Sequence, residues 1–254
     1  MPDLFASPAM AAGYARARPA VHPQVIEMVW GRLGLAAPVA RALDVGCGAG
    51  LSTAPLVRIA QLCVGIDPVE AMVQVGRRHS DQVVLGAARA EALPIAARSI
   101  DVITAAGSLN YVQLDTFFPE ALRVLRSNGA LVVYDFSAGR RFRSSPALDE
   151  WFTEFVGRYP RAQGVARPLD PDSVAVAAKG FRLVGSERFV VTLRLTFAFY
   201  LDYVMTETNV SHAIQSGTSS DEIRSWCAES LGVVFGDHEH EVQFDGYLAH
   251  LTPA

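Results

Sequence analysis

A glycine-rich turn between a strand and a helix constrains this chain of 254 residues most. Residues 43–50 read LDVGCGAG, after an apolar run at 41–45 that predicts a short buried strand and before a run at 51–60 that predicts a helix. Glycines at such a turn let a ligand approach the backbone, and amides at a helix N-terminus can hold its oxygens. The turn therefore predicts a ligand site, although glycines that serve tight packing alone give the same pattern.

The spacing of these glycines, Gly46, Gly48 and Gly50, is GxGxG. Enzymes that bind nicotinamide dinucleotides use GxGxxG, with the third glycine one position later. Asp44 ends the strand just before the turn. A carboxylate there would repel a pyrophosphate but suits the ammonium group of a methionine moiety, so both features argue against a nicotinamide oxidoreductase.

Strands and helices alternate on both sides of the turn, which predicts βαβ units and a parallel sheet covered on both faces. Residues 1–20 show little periodicity and predict a loop or a partly ordered arm. The predicted strands are 41–45, 63–67, 82–86, 99–106 and 130–136, then one strand or a strand pair at 181–197 and a last strand at 240–251. The predicted helices are 22–35, 51–60, 68–79, 114–129, 147–158, 171–179, 198–215 and 219–231, with Asp115 as N-cap of the fourth and Gly129 near its end.

Composition excludes several classes of protein. Half of the residues are hydrophobic, which argues against disorder, and the net charge of −4 gives no reason to expect a nucleic-acid partner. The three cysteines lack zinc-ligand spacing, and their low, odd number suits a reducing cytoplasm. We see no signal peptide, no membrane span and no metal cluster in the sequence. We expect one cytoplasmic domain over residues 1–254, with an arm (1–20), a ligand-binding half (21–137) and a second half with helical insertions (138–254).

Two further segments carry candidate ligand residues. Asp67 ends the second predicted strand about 20 residues after the glycines, where a carboxylate can accept hydrogen bonds from ribose hydroxyls. It could equally cap the next helix. Residues 90–94 read AEALP, and the fourth strand follows them.

The order LDVGCGAG, GID, AEALP, SIDVITAA and RVLRSNGALVVYDF resembles the class I S-adenosylmethionine-dependent methyltransferase family, and most closely its small-molecule and trans-aconitate-type members. Tyr14 to Pro19, YARARP, resembles a motif of the same subgroup, and the likeness covers residues 10–136. It implies an α/β, Rossmann-like, seven-stranded, mostly parallel sheet of order 3-2-1-4-5-7-6, with an antiparallel last strand, helices on both faces and a helical lid.

The resemblance also implies roles for single residues, with S-adenosyl-L-methionine as the cofactor. The expected cofactor-binding residues are Tyr14, Asp44, Gly46, Cys47, Gly48, Asp67, Pro68, Ala90, Glu91, Ala105 and Ala106. The glycines would contact the cofactor through their backbone, Asp44 would lie near its amino group, and Tyr14 would close over it. Arg89 departs from the family, which often has an acid two positions before Glu91.

The methyl acceptor is expected to be a small molecule, and the oxygen, nitrogen or carbon atom that is methylated stays open. An Asn/Asp-Pro-Pro-aromatic motif, typical of amino methylation of adenine or glutamine, is absent from the sequence. The candidates for acceptor binding are Arg18, Asn110, Tyr111, Arg140, Arg141 and Tyr200, and the candidates for catalysis are Tyr111, Tyr203 and His212.

Arg140, Arg141 and Arg143 could bind an anionic acceptor or could form a solvated basic loop. Tyr200, Tyr203 and Glu207 are expected on one face of a lid helix. A monomer and a homodimer both stay open. The alternative function is that of a cofactor-binding regulator or scaffold without catalysis.

Overall fold

The computed structural model describes residues 7–79, 81–161 and 166–254. Its chain divides into two compact units. The sheet unit comprises His22–Phe136, Ala166–Phe189 and Gly246–Ala254, and the helical unit comprises Met1–Val21, Ser137–Val165 and Val190–Asp245. Two of these boundaries lie within one residue of the predicted breaks at 20/21 and 137/138. The assignment of all residues to a single domain stays a prediction.

Eight strands occur in the described part of the chain. Their bounds are β1 Val39–Val45, β2 Ala60–Asp67, β3 Val84–Ala87, β4 Ile100–Ala106, β5 Leu125–Phe136, β6 Arg141–Phe142, β7 Phe181–Leu195 and β8 His240–Pro253. They hydrogen-bond in the order β3-β2-β1-β4-β5-β8-β6, and β7 also pairs with β8. The first five strands are parallel, and β8 runs antiparallel to β5.

The predicted strand order is confirmed in outline, since predicted strands six and seven correspond to β7 and β8. The predicted number of seven is wrong by one. The additional strand, β6, has only two residues and pairs with the first part of β8, so it is too short to leave a periodic signal in the sequence. The region at 181–197, left open as one strand or a pair, is one long strand.

Nine α-helices occur among the described residues, and two short 3₁₀ helices cover Ala54–Arg58 and Leu109–Tyr111. The α-helices are α1 Pro8–Ala17, α2 His22–Leu33, α3 Glu70–His79, α4 Leu114–Val124, α5 Ala147–Arg158, α6 Pro171–Ala177, α7 Phe197–Val204, α8 Thr208–Gln215 and α9 Ser220–Phe235. None of the helices described is long and apolar enough to cross a membrane.

Several predicted helices need correction. The arm contains α1, which begins at Pro8 because the Ser7 side chain accepts a hydrogen bond from the Met10 amide; residues 1–6 of the arm lie outside the described residues. No α-helix follows the glycine turn, where turns and a 3₁₀ helix that contains Pro55 replace it.

Two further boundaries differ from the prediction. Helix α4 ends at Val124 and is preceded by Gln113 as N-cap, so Asp115 lies in the first turn and residues 125–129 already belong to β5. The predicted helix at 198–215 is interrupted by residues 205–207, where Glu207 is extended and precedes α8 as its N-cap.

The core of the sheet unit surrounds β4 and β5, whose central residues are almost all buried, as expected for parallel strands covered on both faces. Phe117, Phe118 and Ala121 of α4 are buried in the same cluster as Leu131 and Val133 of β5. This packing fixes the carboxyl ends of β1, β2, β4 and β5, where the candidate ligand residues lie.

Candidate functional site

The glycine turn after β1 has backbone conformations that residues other than glycine adopt only with strain. Gly46, Gly48 and Gly50 have φ angles of +72°, +53° and +79°, in the left-handed region that favours glycine. A Cβ at Gly46 would lie 2.3 Å from the Cβ of Ser108, so a side chain does not fit there. The turn needs glycine for both its conformation and its close approach to the segment after β4.

The amides of this turn bond within the protein. Gly46 N and Cys47 N donate to the Ile66 carbonyl at 2.8 and 2.9 Å, and Gly48 N donates to Asp67 Oδ2 at 2.9 Å. No regular helix begins at this turn, and the amides of these three residues already donate within the protein. The expected backbone contacts of Gly46, Cys47 and Gly48 with a ligand stay a prediction.

Asp44 is fully buried at the carboxyl end of β1. Its Oδ2 accepts hydrogen bonds from Ser52 Oγ at 2.6 Å and Thr53 Oγ1 at 2.7 Å, and its Oδ1 accepts one from Thr104 Oγ1 at 2.9 Å. All three hydroxyls donate to the carboxylate, and such hydrogen bonds favour its charged form. Burial is the main cause that raises the pKa of Asp44, although the three hydroxyl bonds oppose it.

Asp67 connects the glycine turn to the start of α3. Its Oδ1 accepts a hydrogen bond from Val69 N at 2.8 Å, and its Oδ2 accepts the one from Gly48 N. Each oxygen keeps a lone pair, so the helix-capping role and the ribose-binding role are compatible. Burial raises the pKa of Asp67, and Pro68 beside it is exposed.

The two carboxylates form an acidic site. Asp67 acts on Asp44 by charge repulsion, and no Lys or Arg of the described chain forms a salt bridge with either residue. An ionised carboxylate out of water without a cation is unfavourable. A positively charged ligand beside this turn would offset that cost, and S-adenosylmethionine, with its sulfonium and ammonium groups, fits this requirement.

Glu91, in the segment after β3, is held in place by a backbone amide and by an arginine. Glu91 Oε1 accepts a hydrogen bond from Gln113 N at 3.1 Å, and Glu91 Oε2 lies 3.5 Å from Arg89 Nε. Arg89, at the position where the family often has an acid, is thus a partner of Glu91 and is itself 63% exposed. Ala90 between them is buried.

Asp135 is a further candidate residue, which the sequence analysis missed. It lies near the end of β5, with Oδ2 bound to Asn110 Nδ2 at 2.8 Å and Oδ1 bound to Phe136 N at 2.8 Å. A Cβ at Gly107, directly after Ala105 and Ala106 of β4, would lie 2.9 Å from Asp135 Oδ1. Burial raises the pKa of Asp135. An acid inside an apolar strand pattern carried no signal that could have singled it out.

Asn110 and Tyr111 follow β4 in a 3₁₀ turn, and both are half-buried. The Asn110 carbonyl accepts a hydrogen bond from Arg167 N at 2.9 Å. Asn110 is thus held against Asp135 near the end of β5, and Tyr111 lies next to Asn110 in the chain.

In the helical unit, Arg18 contacts several of the candidate residues. Arg18 Nη1 donates to Glu207 Oε1 at 3.1 Å and Nη2 donates to the Thr206 carbonyl at 3.1 Å. Its guanidinium lies over the rings of Tyr14 and Tyr203, 4.4 and 5.2 Å from their centroids. The structure therefore places Arg18 and Tyr14 of the N-terminal segment against α7 and the start of α8.

Tyr200 and Tyr203 hold the segment before β6. Tyr200 OH donates to the Gly139 carbonyl at 2.8 Å, and Tyr203 OH donates to the Ala138 carbonyl at 2.9 Å. Burial raises the pKa of both hydroxyls. A tyrosine whose proton is held in this way is a poor base, which favours a positioning role for Tyr203. His212 lies half-buried in α8, and within the described residues no contact joins it to Tyr203.

The arginines after β5 do not form one basic cluster. Arg141 pairs with Asp245 at 3.0 Å and Arg143 pairs with Glu241 at 3.4 Å, and both side chains are more than half exposed. Arg140 is half-buried and lies over the Phe152 ring, 4.4 Å from its centroid. The sequence could not separate them, because their acidic partners stand about a hundred residues later in the chain.

Residues 43–133 match the family described as "Methyltransferase domain". An uncharacterized methyltransferase of Mycobacterium tuberculosis is 34% identical over 118 residues, which cover 46% of this chain and 46% of that protein. The demethylmenaquinone methyltransferase of Renibacterium salmoninarum is 36% identical over 103 residues, which cover 40% of this chain and 44% of that protein. The matched segment thus spans less than half the length of these relatives.

Among solved structures, a protein provisionally described as a type II methyltransferase from Anaeromyxobacter dehalogenans superposes with a TM-score of 0.65 at 22% identity. The superposition covers 88% of this chain and 94% of the other, and at this identity it shows a shared fold. Together with the family match, it confirms the resemblance found in the motifs. Residues 43–133 thus match a methyltransferase domain, and the described chain shares its fold with a solved structure that is described as a methyltransferase.

Proposed function

We propose that this protein transfers a methyl group from S-adenosylmethionine to a small-molecule acceptor. The observation that carries the proposal is the pair of acids at the glycine turn, Asp44 and Asp67, which have no cationic partner among the described residues. An acidic site of this kind suits a cofactor that carries a net positive charge, and the family match points to the same cofactor.

Different residues around the turn would bind different parts of the cofactor. Asp44 would act through its charge, because its oxygens are enclosed by hydroxyls, and Asp67 would accept hydrogen bonds from the ribose. Ala90 and Glu91 would border the adenine. Ala105 and Ala106 would meet the methionine part through their backbone, with Asp135 as a further acid at that end. Tyr14 and Pro68 stay candidates for covering the cofactor.

When bound, the cofactor supplies an electrophilic methyl carbon on a positively charged sulfur. The chain has to hold the acceptor in line with that carbon and to exclude water. No residue is assigned as a base, since Tyr203 is held as a hydrogen-bond donor. Tyr111 and His212 stay candidates.

The test is calorimetric titration of the protein with S-adenosylmethionine. We expect wild-type protein to bind and Asp44→Asn to bind about tenfold to a hundredfold more weakly, because an interaction with a charged group contributes about 1.5–3 kcal/mol. Asp202→Asn is the matched control, since Asp202 is an exposed acid that pairs with Arg224. Absence of binding to the wild type, or equal binding by both variants, would reject the role proposed for the acidic site.

Turnover is then measured as release of S-adenosylhomocysteine in the presence of a panel of small-molecule acceptors. Acceptor-dependent release would establish catalysis. Tight cofactor binding with no release across the panel would instead favour the alternative of a regulator without catalysis, for which no structural observation speaks at present.

A further inference from the structure

Arg140 differs from Arg141 and Arg143, the other arginines that follow β5, because no carboxylate of the described residues forms a salt bridge with it. Its Nε is buried and has no hydrogen-bond partner among the described residues. Within residues 7–79, 81–161 and 166–254, Arg140 forms no salt bridge, and its one specific contact is the ring of Phe152. A guanidinium withdrawn from water in this way is unfavourable unless an anion pairs with it.

The surroundings of Arg140 increase its need for an anion. Burial, and then the positive charge of Arg161, lower the pKa of Arg140. Glu207 acts on it with opposite sign, but the Glu207 carboxylate is bonded to Arg18. No carboxylate of the described chain is therefore committed to Arg140.

The position of Arg140 is fixed by buried groups. The carbonyls of the two preceding residues, Ala138 and Gly139, accept hydrogen bonds from Tyr203 and Tyr200. Gly139 has a φ of +62°, and a Cβ there would lie 2.4 Å from the Phe244 ring. The backbone that carries Arg140 is thus held on both sides, and its guanidinium is held by the stack on Phe152. An arrangement that orders an unpaired cation in advance is suited to binding an oxyanion.

We propose that Arg140 binds an oxyanion, a carboxylate or a phosphate, within the helical unit. The inference goes beyond the proposed function, because it assigns a class of ligand to a residue of the helical unit and does not require the cofactor. It also narrows the earlier expectation of a three-arginine cluster to one residue, since Arg141 and Arg143 are paired at the surface.

The test uses the whole protein without cofactor and two probes, inorganic phosphate and succinate, with chloride at equal ionic strength as reference. The readout is the thermal midpoint as a function of probe concentration. We expect at least one probe to raise the midpoint in a saturable way, and the probe that does so identifies the class of oxyanion. In Arg140→Met the apparent affinity should fall by about tenfold to a hundredfold, as expected for loss of a charge-assisted hydrogen bond. Arg141→Met, the paired neighbour, should respond like the wild type.

A second measurement does not depend on a ligand. In chloride buffer, Arg140→Met should unfold at the same temperature as the wild type or at a higher one, because it removes a charge that has no partner. A clear drop in its midpoint would assign Arg140 to the stability of the fold and would overturn the inference. So would saturable stabilisation that survives in Arg140→Met, or no stabilisation of the wild type by either probe.

These outcomes are separable from those of the cofactor titration. Oxyanion binding that depends on Arg140 would stand even if S-adenosylmethionine failed to bind, and the proposed function would then fail alone. Cofactor binding without any oxyanion response would leave the methyltransferase proposal in place and remove only the oxyanion site at Arg140.

Discussion

The contact between Arg18 and Glu207 permits a quantitative prediction, because both side chains are largely buried, with 20% and 8% of their surface exposed. In Arg18→Met, the Glu207 carboxylate loses its cation while it stays out of water. Breaking a buried pair from one side costs about 3–5 kcal/mol. We expect the free energy of unfolding to fall by about 3 kcal/mol, and the melting temperature by about 6–12 °C for a protein of this size.

The reverse change should cost less. In Glu207→Gln, Arg18 keeps its bond to the Thr206 carbonyl and its position over Tyr14, so we expect a loss of about 1–2 kcal/mol. The free energy of unfolding of the double variant should fall by about 2 kcal/mol less than the sum of the two single losses, because the double variant leaves neither charge buried without its partner.

The assay is urea unfolding, followed by tryptophan fluorescence and circular dichroism, for the four proteins of this double-mutant cycle. A matched cycle on the exposed pair Arg224 and Asp202, with 48% and 42% exposure, should give a coupling below about 1 kcal/mol. A coupling below about 0.5 kcal/mol for Arg18 and Glu207 would refute the argument that burial makes this pair strong.

Two further predictions concern the glycine turn and its acids. Gly46→Ala should destabilise the protein by about 2 kcal/mol or more in urea unfolding and should weaken cofactor binding, because its Cβ meets Ser108. Gly34→Ala, with a φ of +61° and open space around it, is the control and should cost only about 1 kcal/mol; equal losses would count against the steric argument. Burial raises the pKa of Asp44, so the stability associated with its protonated form is fully present below the ordinary carboxyl pKa and is lost as pH rises through the raised value. The melting temperature of the wild type should therefore fall relative to that of Asp44→Asn as pH rises from about 4 to 7, and a constant difference would contradict this.

Much of the sheet unit could be predicted from the sequence. Strands β1, β2, β4 and β5 are short apolar runs bounded by turn residues, and their order followed from a family resemblance carried by five motifs in sequence. The left-handed φ angles of Gly46 and Gly48 are the physical reason for the first of these motifs.

What failed depended on contacts between residues distant in sequence or on local chemistry that a periodic pattern does not contain. Helix α1 depends on the cap by Ser7, and the absence of a helix after the glycine turn reflects Pro55 and the bonding of loop amides to Ile66. Asp135 has the pattern of an ordinary strand residue, and only the fold brings it against Gly107. Arg140 and Arg141 are neighbours with identical side chains, and only the position of Asp245 on β8 separates them.

The burial of the cysteines gives the protein an internal reporter of local opening. Cys47, Cys63 and Cys227 are free thiols with 4%, 1% and 0% of their surface exposed, and burial raises the pKa of all three, that of Cys227 to about 12. Alkylating reagents attack thiolates, so labelling of the native protein has to proceed through transient local unfolding. The labelling rate of Cys47 therefore measures how often the loop after β1 opens. Cys227, inside α9, supplies the comparison for opening elsewhere in the same molecule.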